Sequence, residues 1–539
     1  MKKLLINTLI GSCAIAFFSI AKPVNAVEKI TIQVGPLEQS ISVTDLETYV
    51  KTGKLPESLE PYASFINPQI REFLNQKLEI DPKTAAKFVT NLLQTSAGKS
   101  LLKQIQQVLP GVKLEDIQAA TYVLTRQTKN VNLLSLIRAF PGENLNIDGT
   151  ALMNIALQMN TSYLQSQALT DLLKTELEVP GKPFTSKIDP AIMGNQKVVI
   201  KPIILYDQQR KRALPVDLYL PEKPENQLIV ISHGLGGSRQ SLGYLAKHLS
   251  THGFNVAVIE HPGSNAKWLA QQKQKNDPTK LILPSEFVDR PKDITFLLDE
   301  LAKMNQEGDL KDKINVNQVS VIGHSFGGYT ALALAGGEID LDNLRKFCQS
   351  YNPLDKSGAD WLQCLASDLP GKNYNFKDTR VTQIITLNPA VGQGFTHDGL
   401  SKIKIPTLML TGTDDNLTPA VSHQLQPFRQ LGGKKYLLTA IGGTHLSVLD
   451  PDVLDADFVR TVPKELLGEK AVPIRKATQG VILAFIKQQT KDAKIYQSFL
   501  TPAYVQSLST KDIPLRFNGD LPTSVTSWLN MMESSEKPE

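Results

Sequence analysis

The chain has 539 residues, with 58 Lys and Arg against 53 Asp and Glu, for a net charge of +5. That near balance excludes nucleic acid as the main ligand, because phosphate binding needs a concentrated positive surface. The length accommodates one large core plus at least one satellite domain, and the three cysteines form no zinc-type cluster in the sequence.

At the N-terminus, Lys2 and Lys3 precede an apolar stretch from Leu4 to Ala21, and Val24-Asn25-Ala26 is a small-residue site of the kind signal peptidase accepts. The pattern predicts a signal peptide over 1–26, cleaved after Ala26, and a protein exported to the periplasm or beyond. An uncleaved membrane anchor is the weaker alternative, since Asn7 and Lys22 interrupt a stretch already marginal for a span. Losing Lys2, Lys3, Lys22 and Cys13 with the signal leaves a net charge of +2 and two cysteines, Cys348 and Cys364. In an oxidising compartment two such cysteines pair as a disulfide, with buried free thiols as the alternative.

Residues 27–147 read as a small all-helical domain. Thr44-Asp45-Leu46-Glu47 is a capping box, Pro68 and Pro82 stand at helix starts, and apolar residues recur at helical spacing in Phe88, Val89, Leu92, Leu93 and in Ile117, Ala120, Val123, Leu124. The segment from Ile30 to Ala139 contains no histidine or cysteine, so the usual general bases and thiol nucleophiles are absent from it. Residues 148–190 form a connector: a helix with Leu152, Ile155, Met159, Tyr163, Leu169, Leu173 and Leu177 on one face, then the breaker Pro180-Gly181-Lys182-Pro183.

From residue 191 to about 490, short apolar β-type runs alternate with helical segments. Val198 to Tyr206 and Val216 to Leu220 predict an opening hairpin. Leu228–Ile231, Val256–Ile259, Val319–Ile322, Val381–Leu387, Thr407–Leu410 and Tyr436–Leu438 read as buried strands of a mostly parallel sheet flanked by helices. A helix near Ile474 to Ile486 covers it, and 491–539 is a C-terminal extension. An insertion at about 338–378 carries Phe347, Tyr351, Trp361 and both remaining cysteines, a lid-like composition.

Within this domain Gly323-His324-Ser325-Phe326-Gly327-Gly328 stands between a strand and a small-residue helix, the context of a nucleophile elbow. An acyl-transferring serine needs a base, an orienting acid and an oxyanion hole in a set chain order. Thr411-Gly412-Thr413-Asp414-Asp415 follows the strand at 407–410, and the spacing favours Asp415 over Asp414 as the acid. Ile441-Gly442-Gly443-Thr444-His445 places His445 as the base, and His397 is the other histidine left open to line the site. Ser232-His233-Gly234-Leu235-Gly236-Gly237 lacks the spacing of a dinucleotide turn and reads as an oxyanion loop. The backbone N–H groups of Leu235 and Phe326 are the expected donors.

With Ser232 to Gly236, His252-Gly253-Phe254, Glu260-His261, Asp293 to Asp299 and the elbow in hand, residues 197 to about 490 resemble the serine hydrolases that include platelet-activating-factor acetylhydrolases and dienelactone-hydrolase-like enzymes. The resemblance implies an α/β-hydrolase fold. The N-terminal segment resembles a domain of unknown function that precedes such hydrolases in exported proteins best known from cyanobacteria. One departure bears on the acid: acetylhydrolases carry it after the strand following the elbow, where this chain has Leu387-Asn388-Pro389-Ala390. The acid therefore shifts to Asp415, the dienelactone-hydrolase-like location.

The combined expectation is an exported serine hydrolase of carboxylic, acyl or lipid esters, working through an acyl-enzyme on Ser325 without metal or organic cofactor. It carries a transient contact with membrane surfaces and no nucleic-acid partner. An acyltransferase using the same intermediate, and a non-catalytic interaction protein on a hydrolase scaffold, are the alternatives.

Overall fold

The computed structural model describes residues 26–34, 37–62, 71, 74, 102, 105–126, 132–149, 151, 161–181, 183–225, 227–275, 282–308, 310–349, 357–395, 397–454 and 465–535. The expected signal peptide, apart from Ala26, falls outside them, as do Pro68, Pro82 and the 88–93 pattern. The chain divides into two compact units, 1–159 and 160–539.

The first unit is not all-helical. Strands β1 (Lys29–Val34), β2 (Leu37–Ser42) and β3 (Asn144–Asp148) form a mixed sheet in the order β2-β1-β3, with β2 antiparallel and β3 parallel to β1. The alternation that makes these strands is short: Ile30 and Leu145 point into the core, while Thr31 uses the other face to bond Ser40 and Asn144, each at 2.8 Å. Helix α1 (Val43–Thr52) buries Val43, Leu46, Tyr49 and Val50 against this sheet. Its cap is Ser42, whose side chain accepts from the Asp45 N–H, so the helix starts two residues before the expected box at Thr44. Helices α2 (Leu114–Arg126) and α3 (Leu133–Ala139) add Ala120, Leu134 and Ala139 to the same core. A bidentate pair from Arg138 to Glu47, at 2.6 and 3.0 Å, ties α3 to α1.

The second unit contains the expected mostly parallel sheet, of nine strands. In chain order these are β4 (Val198–Asp207), β5 (Arg212–Pro221), β6 (Gln227–Ser232), β7 (Asn255–Ile259), β8 (Asn315–His324), β9 (Val381–Leu387), β10 (Thr407–Gly412), β11 (Lys435–Ala440) and β12 (Leu515–Asn518). Their spatial order is β12-β11-β10-β9-β8-β6-β7-β5-β4. Strands β6 to β11 run parallel, the β4–β5 hairpin pairs antiparallel to β7, and β12 closes the far edge antiparallel to β11. The C-terminal extension is thus part of the sheet.

The parallel strands bury both faces, which is why they read as continuous apolar runs. On one face Val230, Val321, Ile384 and Met409 pack with Ile294, Leu297 and Leu301 of α6 (Glu286–Glu307) and with Leu169, Leu173 and Leu177 at the end of the connector, whose helix α4 spans Thr161–Glu176. On the other, Ile229, Ile322, Ile385 and Leu438 pack with Leu245 and Leu249 of α5 (Gly243–Thr251) and with Val481 and Phe485 of the C-terminal helix Val472–Lys487. Arg516 of β12 donates to Lys174 O at 3.0 Å and pairs with Glu178 at 2.7 Å, fastening the connector helix to the sheet edge. Because β6 and β8 to β11 are parallel, their carboxyl ends meet at one edge of the sheet. The segments that leave this edge carry Ser325, Asp415, His445, Leu235 and Phe326, the catalytic and oxyanion residues expected from the sequence.

Candidate active site

Ser325 stands between β8 and α7 (Phe326–Leu334) with φ 53° and ψ −117°, a conformation that costs a non-glycine residue about 1–3 kcal/mol. The surroundings hold it there. Its N–H donates to Leu387 O at 2.9 Å, and its carbonyl accepts from the Gly328 and Ala390 N–H groups at 2.8 and 3.1 Å. A Cβ on Gly323 would lie 2.0 Å from Gly327 O, and one on Gly327 would lie 2.1 Å from Ser232 O, so strand, turn and neighbouring strand approach with no room for a side chain. The serine thus stands at the N-terminus of α7, where the first N–H groups of a helix have no intrahelical acceptor.

The carboxylate of Asp415, fully buried, takes four hydrogen bonds. Its Oδ1 accepts from the Leu417 and Thr418 N–H groups at 3.0 and 2.7 Å, and its Oδ2 accepts from Thr418 Oγ1 at 2.7 Å and from His445 Nδ1 at 2.8 Å. Asp414 turns the other way, where its Oδ1 accepts from Gln167 Nε2 of α4 at 3.1 Å. The acid and base loops are braced on each other: Asp414 N donates to Gly443 O at 2.9 Å and Gly442 N to Thr413 Oγ1 at 2.9 Å.

Burial pulls the His445 imidazole down, but the charge and hydrogen bond of Asp415, with the Glu465 charge behind them, outweigh it and leave the pKa above the ordinary histidine value. The bond to Asp415 places the proton on Nδ1 and leaves Nε2 as the basic nitrogen. His445 reaches the elbow through its backbone, since its carbonyl accepts from Nε2 of His324, the residue before Ser325, at 3.0 Å. His324 is itself held well below the usual range by burial and the neighbouring His445, which removes it as a competing base.

The Leu235 and Phe326 N–H groups have no hydrogen-bond partner among the described residues, whereas the next two in the oxyanion loop are engaged: Gly236 N with Ser264 O at 2.9 Å, Gly237 N with Gly234 O at 3.2 Å. The loop lies against the serine, for a Cβ on Gly234 would sit 3.1 Å from Ser325 Cβ. Two free donors beside a buried nucleophile are the arrangement that binds a developing oxyanion.

For three residues the structure adds contacts that sequence alone does not give. Thr418 shares its hydroxyl with Asp415 and stands 3.2 Å from His445 Nδ1; the Asp-x-x-Thr spacing is its only signal. Asn388, where acetylhydrolases place the acid, donates from Nδ2 to Thr444 O at 3.0 Å and to His445 O at 3.4 Å, so the position supports the base loop. Glu465 accepts from Thr444 Oγ1 at 2.5 Å and Leu446 N at 2.9 Å, and nothing local in the sequence marks it. His397 begins the short helix His397–Ser401. His423 lies buried beside Ser357 and Asp360, at 3.1 and 3.3 Å.

Between α7 and β9 the insertion contains the helices Leu341–Gln349 and Gly358–Cys364, joined by a disulfide between Cys348 and Cys364. It rests on the acid loop, with Ala359 N donating to Leu417 O at 3.0 Å. Tyr351 lies outside the described residues. Among the described residues no group of three or more His, Cys, Asp or Glu side chains is placed to hold a metal ion, and no helix is long and apolar enough to cross a membrane.

Residues 26–148 match the family described as alpha/beta hydrolase of unknown function (DUF1400), and residues 227–343, which contain the oxyanion loop and the elbow, match the alpha/beta hydrolase fold family. The chain is 30% identical over 139 residues to platelet-activating factor acetylhydrolase of Bos taurus and 33% identical over 139 residues to that of Canis lupus familiaris. Each similarity covers 20% of this chain and 31% of the relative, so the chain spans less than a third of the length of these curated relatives.

Proposed function

We propose that this chain, an α/β-hydrolase domain behind a DUF1400 region, is an exported serine hydrolase that cleaves carboxylic esters through an acyl-enzyme on Ser325. The observation that carries the reading is the buried Asp415–His445 pair at 2.8 Å, joined through the His445 carbonyl to the strand that presents a strained Ser325.

In this mechanism His445 Nε2 takes the Ser325 hydroxyl proton as Oγ attacks the ester carbonyl. The carbonyl oxygen becomes an oxyanion and binds the Leu235 and Phe326 N–H groups; one such donor is worth about 3 kcal/mol of transition-state stabilisation. His445, now an imidazolium held by Asp415, gives its proton to the leaving alkoxide, which departs as the alcohol. Water then attacks the acyl-Ser325 with the same histidine as base, releasing the acid and restoring the serine.

Acyl or lipid esters are the substrate class. The curated relatives are named for platelet-activating factor, and the insertion that rests on the acid loop exposes Trp361. A fluorophosphonate probe is expected to label the wild-type protein and to leave Ser325→Ala unlabelled. Absence of labelling in the wild type, or equal labelling of both, contradicts the reading.

A further inference from the structure

The largest fully buried side chain among the described residues is an arginine, Arg290 on α6. Burying a guanidinium is costly, and similar volume in apolar groups often stabilises a core as well or better. Arg290 has also not satisfied its donors: Nε and Nη1 have no hydrogen-bond partner among the described residues. Its two specific contacts fall on the two segments that carry the free oxyanion donors. Nη2 donates to the carbonyl of His233, two residues before Leu235, and the guanidinium carbon lies 4.4 Å from the ring centroid of Phe326, which bears the other donor.

The loop side of this arrangement is fixed by a buried polar network. The His261 N–H donates to His233 Nε2 at 3.0 Å, which places the His233 proton on Nδ1, 2.6 Å from Gly234 O. His261 Nδ1 donates to Asp293 at 2.9 Å, and its Nε2 accepts from Ser232 Oγ at 3.0 Å. Ser264, whose carbonyl holds Gly236 N, donates its hydroxyl to Glu286 at 2.7 Å. Arg212 closes the network with pairs to Glu286 at 2.8 Å and Asp293 at 2.9 Å. On the elbow side, Phe287 packs on Phe326 with centroids 4.7 Å apart. Besides the close backbone approach of the two segments, Arg290 touches both sides with one side chain. Burial lowers its pKa to about 9 against the raising effect of Glu286 and Asp293, which leaves it cationic at neutral pH.

We propose that Arg290 is a positioning residue that holds the Leu235 and Phe326 halves of the oxyanion hole in register with each other. It rests on the serine-hydrolase reading above for its effect on rate, but not for its effect on the backbone. The test compares the full-length wild type with Arg290→Met, an apolar residue that fills much of the same space. Hydrogen exchange at 233–237 and 325–328 is expected to quicken in both segments together, with 381–387 unchanged and melting temperature kept or raised. On p-nitrophenyl acetate, kcat is expected to fall about 30- to 100-fold with KM within about threefold. Binding of a trifluoromethyl ketone, which forms an oxyanion on the serine, should weaken by the same factor as kcat/KM.

Unchanged exchange in either segment overturns the proposal, as does a variant whose kcat/KM stays within twofold of wild type. If the wild type itself neither hydrolyses the ester nor binds the ketone, the functional reading fails, and the exchange result still decides the role of Arg290. Should Arg290→Met not fold, Arg290→Lys is read the same way, since it keeps the charge and loses the planar stack on Phe326.

Discussion

His445 shows how a single residue is set for its role by neighbours distant in sequence. The proposed mechanism uses the neutral imidazole as base, and the charges of Asp415 and Glu465 raise its pKa against burial, so that base is lost as pH falls through the raised value. The acid limb of kcat/KM is therefore expected above pH 6.5, the ordinary histidine value. Asp415→Asn should move the limb downward and lower kcat by roughly 10⁴-fold, whereas Asp414→Asn, whose Oδ1 can still accept from Gln167 Nε2, should keep kcat within about twofold. A pH–rate series on the three proteins checks both; loss of activity in Asp414→Asn alone would exchange the two roles. At this scale the sequence was informative where chemistry is local. The spacing Gly412-Thr413-Asp414-Asp415 favoured the residue that faces His445, while Glu465 was invisible, because only the folded loop brings its carboxylate to Thr444 and Leu446.

Among the elements, the elbow is the most constrained, since three backbone segments converge where Gly323 and Gly327 lack side chains. Gly327→Ala pushes a methyl group to 2.1 Å from Ser232 O, and backbone cannot yield as a flexible side chain can. The variant is expected to lose about 1–3 kcal/mol in denaturant unfolding, and its ester hydrolysis with it. A variant as stable and active as wild type would show that the turn is looser than its contacts imply. The elbow and the buried strands of the second unit were legible because continuous apolar runs and glycine spacing are local signals. Strands β1 to β3 were not, for two reasons. Their alternation spans only a few residues, as in Asn144-Leu145-Asn146-Ile147-Asp148, and the parallel pairing of β3 with β1 joins segments far apart in the chain. Strand β12 was missed for a similar reason: Leu515-Arg516-Phe517-Asn518 acquires its meaning from pairing with β11.

For the whole molecule, the five expected catalytic and oxyanion residues lie in the unit 160–539, and the first unit begins its core at once, with Val27 fully buried and β1 starting at Lys29. The proposed cleavage after Ala26 would keep Val27 and β1 in the mature chain. The protein recovered from an exporting host is expected to begin at Val27 by N-terminal peptide mass spectrometry, and a mature chain beginning at Met1 would contradict export by cleavage. The acyl-enzyme proposed on Ser325 can be seen directly. Wild-type protein mixed with a p-nitrophenyl ester and quenched in acid within the first turnover should show a burst of p-nitrophenol and one acyl group added to the peptide containing Ser325, both absent in Ser325→Ala. Hydrolysis by the wild type with neither burst nor adduct, or equal rates in the two proteins, would contradict the acyl-enzyme.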